Sequence, residues 1–396
     1  MSTELLYHRD PQLLRFDARV EAHGALGDRP TVILDRTAFY PEAGGQMADR
    51  GLLAGLAVSD VQIDERGRVH HQLDGERPAI GASVEGVVDR ARRRQFMQLH
   101  TAQHLLSRAL IEVAQAETLS ARLGETGCTV DLSVKEIAER AVAEAEALSN
   151  QVIEDDLEVR AWFPTIEELE RLPLRRKAKV EDNIRVVAIG DLDFSPCGGT
   201  HCLRTAQIGL VRVLGVERYK GMMRVSFDAG RRARGALAAE ADVLRGLATA
   251  FTCGPLDVPT AVERLRRDLT ALRDGAKRLS ERAALEIARE LAATAGEGIV
   301  IAAIEGGDKE LMRLVASALT REGARAVVLG AEDAEGTQIL SARGPESRFD
   351  CGALVKKVTG ALGGKGGGRP ERAEGRVPAG ADWRAQARSL SLGAPW

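Results

Sequence analysis

At 396 residues, with 44% hydrophobic and 29% charged side chains, the chain has the composition of a water-soluble protein of about two to four domains. A net charge of only −3 excludes bulk polyanion binding, and neither the polar N-terminus MSTELLYHRD nor any apolar run suits a signal peptide or a membrane span. Five cysteines without a disulfide rhythm point to a reducing cytoplasm.

In chain order the pattern is that of an α+β multidomain protein. Residues 1–90 predict a small β-barrel-like N-terminal subdomain: TVILDRTAFY alternates, and VQIDERGRVHHQL turns at Glu65-Arg66-Gly67 between two strands. Residues 91–230 predict an α+β core, with helices over Ala91–Ala114 and Lys135–Ile153. CTVDLSV is a strand, IRVVAIGDLDF is one apolar strand, and GLVRVLGVERY and GMMRVSFDAG form a strand pair. Residues 231–295 predict a helical hairpin or coiled-coil arm. Its second helix carries Val262, Leu265, Leu269, Leu272, Ala276, Leu279 and Ala283 in 3,4 spacing, a seam that also suits a homodimer. Residues 296–396 predict a C-terminal α/β domain ending in the Gly-rich string GGKGGGRP.

Two short strings concentrate the chemistry. HTAQH and CGGTH each carry two metal-capable side chains at i, i+4: His100 with His104, and Cys197 with His201. Helical spacing puts the first pair on one face, and two glycines let the second pair turn back to one point. Three imidazoles and a thiolate are a tetrahedral zinc set. The position beside the first histidine that carries glutamate in HExxH peptidases is Thr101, and Gln103 precedes the second histidine. The H-x-E and P-C-x-x-C of base deaminases are absent, although Pro196-Cys197 is present and Cys202 follows five residues on. Cys202 is either core packing or an alternative thiol ligand. Peptidase and deaminase are disfavoured, and a structural zinc stays open.

DRTAFYPEAGGQMADRG, HTAQHLL, LGETGCTVDL and SPCGGTH, in this order, resemble the editing domain of alanyl-tRNA synthetase. Together with LRRKAKVEDNIRVVAIGDLDFSPCGGTHCLRT and KGMMRVSFDAG, they resemble more closely its free-standing relatives, the alanyl-tRNA editing proteins of the AlaX family, in their long form. The C-terminal third, with GGKGGGRPERAEG, is similar to the DHH-associated domain that closes the synthetase. The resemblance implies a trans-acting hydrolase that deacylates Ser-tRNA(Ala) or Gly-tRNA(Ala), with His100, His104, Cys197 and His201 as zinc ligands. It implies pocket roles for Gln46 and for Thr37, the latter in sensing the serine hydroxyl. A homodimer through residues 260–396 follows by the same analogy. Because the sequence starts almost at the editing module, alanine activation is not expected.

Two mechanisms fit this ligand set: zinc activates water, or zinc orients the substrate while the Gly198-Gly199 backbone donates to the oxyanion. The basic residues are expected to meet tRNA phosphate: Arg92, Arg93 and Arg94; Arg175, Arg176 and Lys177; Lys365 and Arg369 beside the Gly-rich turn. With 4% aromatics, extensive base stacking is not expected. The alternative is a catalytically silent tRNA-binding protein with a structural zinc.

Overall fold

The computed structural model describes residues 2–176, 183–295, 298–321, 323 and 325–391, so Lys177 lies outside the described residues. The chain divides into two compact units, Met1–Gly246 and Leu247–Trp396.

The first unit starts with six antiparallel strands that close on themselves. Their order is Arg15–Leu26, Arg29–Leu34, Val69–Leu73, Leu56–Ile63, Gly51–Leu53 and Ser83–Val88. The first strand shows why: Phe16, Ala18 and Val20 point inward, while Arg15, Asp17 and Arg19 face water. The interior is filled by Phe16, Val32, Leu34, Phe39, Leu53, Val61 and Val69 among others. The string GLLAGLAVSD is a hairpin that turns at Ala54-Gly55.

Helix α1 (Arg90–Ala114) follows, capped by Asp89, whose carboxylate accepts from the N–H groups of Ala91 and Arg92 at 2.8 and 3.1 Å. It is buried almost continuously from Phe96 to Leu110. It packs on α2 (Glu139–Glu154) and on a four-stranded sheet ordered Val211–Tyr219, Met222–Ala229, Cys128–Leu132, Thr118–Leu123. A second, three-stranded sheet contains Val159–Trp162, Val186–Ile189 and Asp193–Pro196. IRVVAIGDLDF, expected as one strand, is therefore two. The chain reverses at Gly190, in a left-handed conformation (φ 49°), and Val186 pairs with Pro196. That reversal delivers CGGTH back toward α1. The short helix α3 (Ile166–Arg171) opens with a Thr165/Glu168 capping box. Helix α4 (Gly230–Phe251) leads out of this unit.

The second unit holds α5 (Val258–Thr294) and a five-stranded sheet. The strand order is Ile299–Ala303, Ala326–Asp333, Gly336–Arg343, Arg372–Val377, Lys365–Gly368. One face packs on the end of α5 and on α6 (Lys309–Leu319). The other packs on α7 (Cys351–Ala361) and α8 (Trp383–Ser391). GGKGGGRP is thus not a free turn, because its KGGG segment is an edge strand paired with Arg372–Val377. The apolar seam of α5 stays open: Leu265, Leu269, Leu272 and Leu279 are all exposed. No helix among the described residues is long and apolar enough to cross a membrane.

Candidate metal centre

His100 and His104 project one turn apart from the buried face of α1, with ring centroids 5.2 Å apart. Cys197 and His201 arrive from the loop after Asp193–Pro196. One donor atom from each of the four residues lies within 4.8 Å of all the others. Cys197 Sγ is 3.5 Å from His100 Nε2 and 3.3 Å from His201 Nε2. The cluster can hold a metal ion, and its donors are those that suit a soft-to-borderline cation.

The surrounding groups set the imidazole tautomers. His100 Nδ1 donates to Gln46 Oε1 at 2.7 Å, which leaves Nε2 to the cluster. The Thr101 hydroxyl donates to Met97 O, so its oxygen accepts from the Cys202 N–H and from His201 Nδ1 at 3.3 Å. His104 Nδ1 faces Asp193 Oδ2 at 3.5 Å, both fully buried. Each histidine thus has a partner behind it, as metal-bound imidazoles do. Asp193 is itself held by Arg175 at 2.8 Å and accepts from Ser195 Oγ at 3.0 Å. Burial opposes its charge, but His104 and Arg175 outweigh this and lower its pKa.

Protonation matches the tautomers. Burial works against ionising Cys197, yet His100 and His201 hold the thiol well below its usual value. His201 is pushed down to about 3, chiefly by burial and then by His100. For His104, burial is outweighed by Asp193 and Cys197, and its pKa rises. An ionised thiol and a neutral imidazole are what metal binding requires, and the directions at Cys197 and His201 favour those forms.

Glycines allow the close approach. A Cβ on Gly199 would lie 2.2 Å from His100 Cε1, so any side chain there displaces a ligand. Gly44 and Gly45, at φ 59° and 87°, turn the chain so that Gln46 reaches His100. Arg185 fixes the CGGTH loop from below, donating to Cys197 O at 3.0 Å and to Gly199 O at 2.9 Å.

His100, Cys197, Gly198 and Gly199 lie along a cleft of about 550 Å³, together with Tyr7, His8, Tyr40 and Arg176. His8 Nε2 donates to Gly198 O at 3.2 Å, and burial, then Arg185, lowers its pKa to about 4.

The sequence matches known families and proteins. The family model described as "Threonyl and Alanyl tRNA synthetase second additional domain" matches residues 184–226, which include Cys197 and His201. The class II (A) tRNA synthetase model matches residues 11–92, and the DHHA1 domain model matches 283–389. The alanyl-tRNA editing protein AlaX-L of Pyrococcus horikoshii is 31% identical over 95% of both chains. The chain belongs to the alanyl-tRNA editing protein family. It is also similar to the alanine–tRNA ligases of Methanobrevibacter smithii (30%) and Halorubrum lacusprofundi (33%). It aligns over 95% of its own length but spans only 44% and 42% of theirs.

Set against the editing-family expectations, the structure brings the four candidate ligands, Gly198 and Gly199 together and moves others away; Gln46 meets the cluster through His100 and Thr200 but is fully buried and absent from the cleft lining. Thr37 is fully buried and absent from the cleft lining. His71 Nδ1 donates to Val32 O, and burial lowers this histidine's pKa to about 4, so its Nε2 accepts from the Thr37 hydroxyl at 2.8 Å. The same oxygen accepts from the Phe39 N–H. With its proton committed to His71, Thr37 has none left for a serine hydroxyl. Gly199 is also reassigned: its N–H points at Cys197 Sγ (3.4 Å) rather than at an oxyanion.

The basic clusters split in the same way. Arg93 is buried against Asp49, and Arg175 is nearly buried against Asp193. Arg92 donates to Ala48 O and Glu125 and lies over Phe96, with its side chain 12% exposed. These three hold the fold and are withdrawn as tRNA contacts. Arg94, Arg176, Lys365 and Arg369 are exposed. Cys202 is core: burial raises its thiol to about 12, and it is not in the donor cluster.

Asp193, Arg185, His8 and Thr101's orienting role escaped the sequence reading. Arg185 alone left a signal, a single charge opening the apolar string RVVAI.

Proposed function

We propose that this chain acts in trans as an aminoacyl-tRNA deacylase, hydrolysing the ester of Ser-tRNA(Ala) or Gly-tRNA(Ala) at a zinc site made by His100, His104, Cys197 and His201. One observation carries the reading. The four donors converge beside a cleft, in a chain related along its whole length to a free-standing editing protein.

Zinc bound there supplies a Lewis acid and an anchor for the substrate. Four protein donors normally close its coordination sphere. The chain's other groups therefore position the reacting ester and exclude stray water. Gln46 and Thr101 lock His100 and His201, Asp193 backs His104, and Arg185 holds the CGGTH carbonyls. Gly198 lines the cleft, its N–H has no partner among the described residues, and that N–H is the donor left for the developing oxyanion.

The test is serine release from Ser-tRNA(Ala) by the full chain, with and without a chelator. Turnover that is lost on chelation and restored by added zinc, with Ala-tRNA(Ala) spared, is the expected result. Tight tRNA binding with no turnover would replace this reading with a silent tRNA-binding protein.

Of the basic residues, Arg94, Arg176, Lys365 and Arg369 are free to meet phosphate. Lys365→Ala and Arg369→Ala are each expected to weaken binding of whole tRNA and to lower the salt slope by about 1. Hydrolysis of a minimal acceptor-stem substrate should be unchanged. Equal losses on both substrates would remove the second unit from tRNA recognition.

A further inference from the structure

A chain with few aromatic residues places four rings in sequence beside its metal centre. Tyr40 meets Tyr7 at 5.3 Å between centroids, Tyr7 meets His8 at 4.7 Å, and His8 meets Phe163 at 5.6 Å, all edge-on. The first two are buried to 3% and 2% exposure, and Tyr40 is anchored by its hydroxyl donating to Ala43 O in the GGQ turn. The last, Phe163, is 44% exposed. Such a series is a rigid support with one ring offered to solvent. An isolated exposed phenylalanine needs no explanation. This one sits at the end of a continuous edge-on series, and its backbone is pinned on both sides. Strand Val159–Trp162 precedes it, and Pro164 and the Thr165/Glu168 capping box follow it.

Its position relative to the chemistry is short-range. His8 donates to Gly198 O at 3.2 Å, and Gly198 follows the ligand Cys197. Phe163 is thus one ring away from a residue bonded to the ligand loop. In an aminoacyl-tRNA, the ester and the terminal nucleobase share a single ribose. A base platform must therefore lie about one sugar from the reacting carbonyl. The cleft beside the cluster, whose lining reaches His8, the ring against which Phe163 packs, also carries the exposed apolar side chains of Ile63 and Leu119, which suit a flat heterocycle, and exposed Arg176, which suits a backbone phosphate.

We infer that Phe163, backed by the ring of His8, is the platform on which the 3′-terminal nucleobase of the tRNA stacks while its ester lies against the His100–Cys197–His201 cluster. The inference rests on the deacylase reading above. It differs from that reading in assigning a nucleobase subsite and in naming the residue that forms it.

The experiment uses two stable probes and the full chain. One is the 3′-seryl-amide of 3′-amino-adenosine, and the other is the same compound with the base removed. Dissociation constants are measured for the unaltered protein, for Phe163→Ala and for Phe163→Tyr. The unaltered protein should bind the nucleoside probe about 10-fold or more tightly than the base-free one. Phe163→Ala should abolish that preference while leaving the base-free probe's affinity unchanged, and Phe163→Tyr should retain it. On Ser-tRNA(Ala), Phe163→Ala should raise KM and leave kcat unaltered. An unaltered protein that deacylates Ser-tRNA(Ala) but shows no preference between the probes would overturn the platform and leave the deacylase reading standing. So would a preference that survives in Phe163→Ala. An unaltered protein that neither deacylates nor binds either probe overturns both.

Discussion

If the proposed zinc deacylase reading holds, Cys197→Ser is expected to abolish zinc binding and to lower kcat/KM on Ser-tRNA(Ala) by at least about 100-fold. The physical case lies in the donor set. Cys197 contributes the one anionic donor, already ionised by its neighbours, and the three histidines alone leave a neutral and more weakly holding site. The groups behind the ligands provide a graded control. Thr101→Val removes the acceptor for His201 Nδ1, and Asp193→Asn removes the charge behind His104. Such partners are worth roughly 10- to 100-fold in metal affinity. Both variants should therefore show reduced zinc content that excess zinc restores, along with activity. Cys197→Ser should not recover. Zinc content by elemental analysis, measured beside turnover, separates the two classes. If Cys197→Ser keeps both its zinc and its turnover, the centre is not the one described. Thermal stability gives an independent readout, because an ion bound only by the folded state raises Tm as its concentration rises.

The sequence displayed the ligands because metal chemistry restricts residue type and spacing, and both are local. HTAQH shows its two histidines at helical spacing, and the glycines of CGGTH announce a tight approach that Gly199 fulfils against His100. The groups around the ligands were not visible, since they are chosen by tertiary contact alone. Asp193 reaches His104 only because the chain doubles back at Gly190, and that reversal lies inside a string apolar enough to pass for one strand. Thr37 shows the converse. Its motif was legible, but the side chain's direction was decided by His71, 34 positions away on another strand. The share of aromatics is small, yet tertiary contact brings the rings of Tyr40, Tyr7, His8 and Phe163 into one edge-on series. Charge runs are the weakest guide, because consecutive residues of a helix face different directions. Arg92, Arg93 and Arg94 sit side by side in sequence and end half-buried, buried and exposed.

That last contrast carries the largest expected effect on stability. Arg93→Ala should destabilise the first unit by about 3–5 kcal/mol, whereas Arg94→Ala should stay within about 0.5 kcal/mol of the parent. Arg93 and Asp49 are each 1% exposed. Arg93 Nε donates to Asp49 Oδ2 at 3.0 Å, and the guanidinium also donates to Pro11 O and Ala38 O. Asp49 in turn accepts from the Tyr40 N–H at 2.7 Å. One guanidinium therefore ties α1 to the N-terminal segment and to the loop that carries Gln46. Removing it leaves a carboxylate buried with no counter-charge, and that desolvation, more than lost attraction, sets the size of the penalty. For a unit of this size the midpoint should fall by roughly 6–20 °C. Replacing both partners, as in Arg93→Met with Asp49→Leu, removes the orphaned charge and should recover much of the loss, although the Tyr40 N–H then lacks its acceptor. Denaturant titration of the parent, Arg93→Met, Asp49→Leu and the double variant measures the coupling directly. Additive losses in the double variant would show that the two charges do not act as a pair. On tRNA the order should reverse: Arg94→Ala weakens binding and lowers its salt dependence, while Arg93, sealed from solvent, has no phosphate within reach.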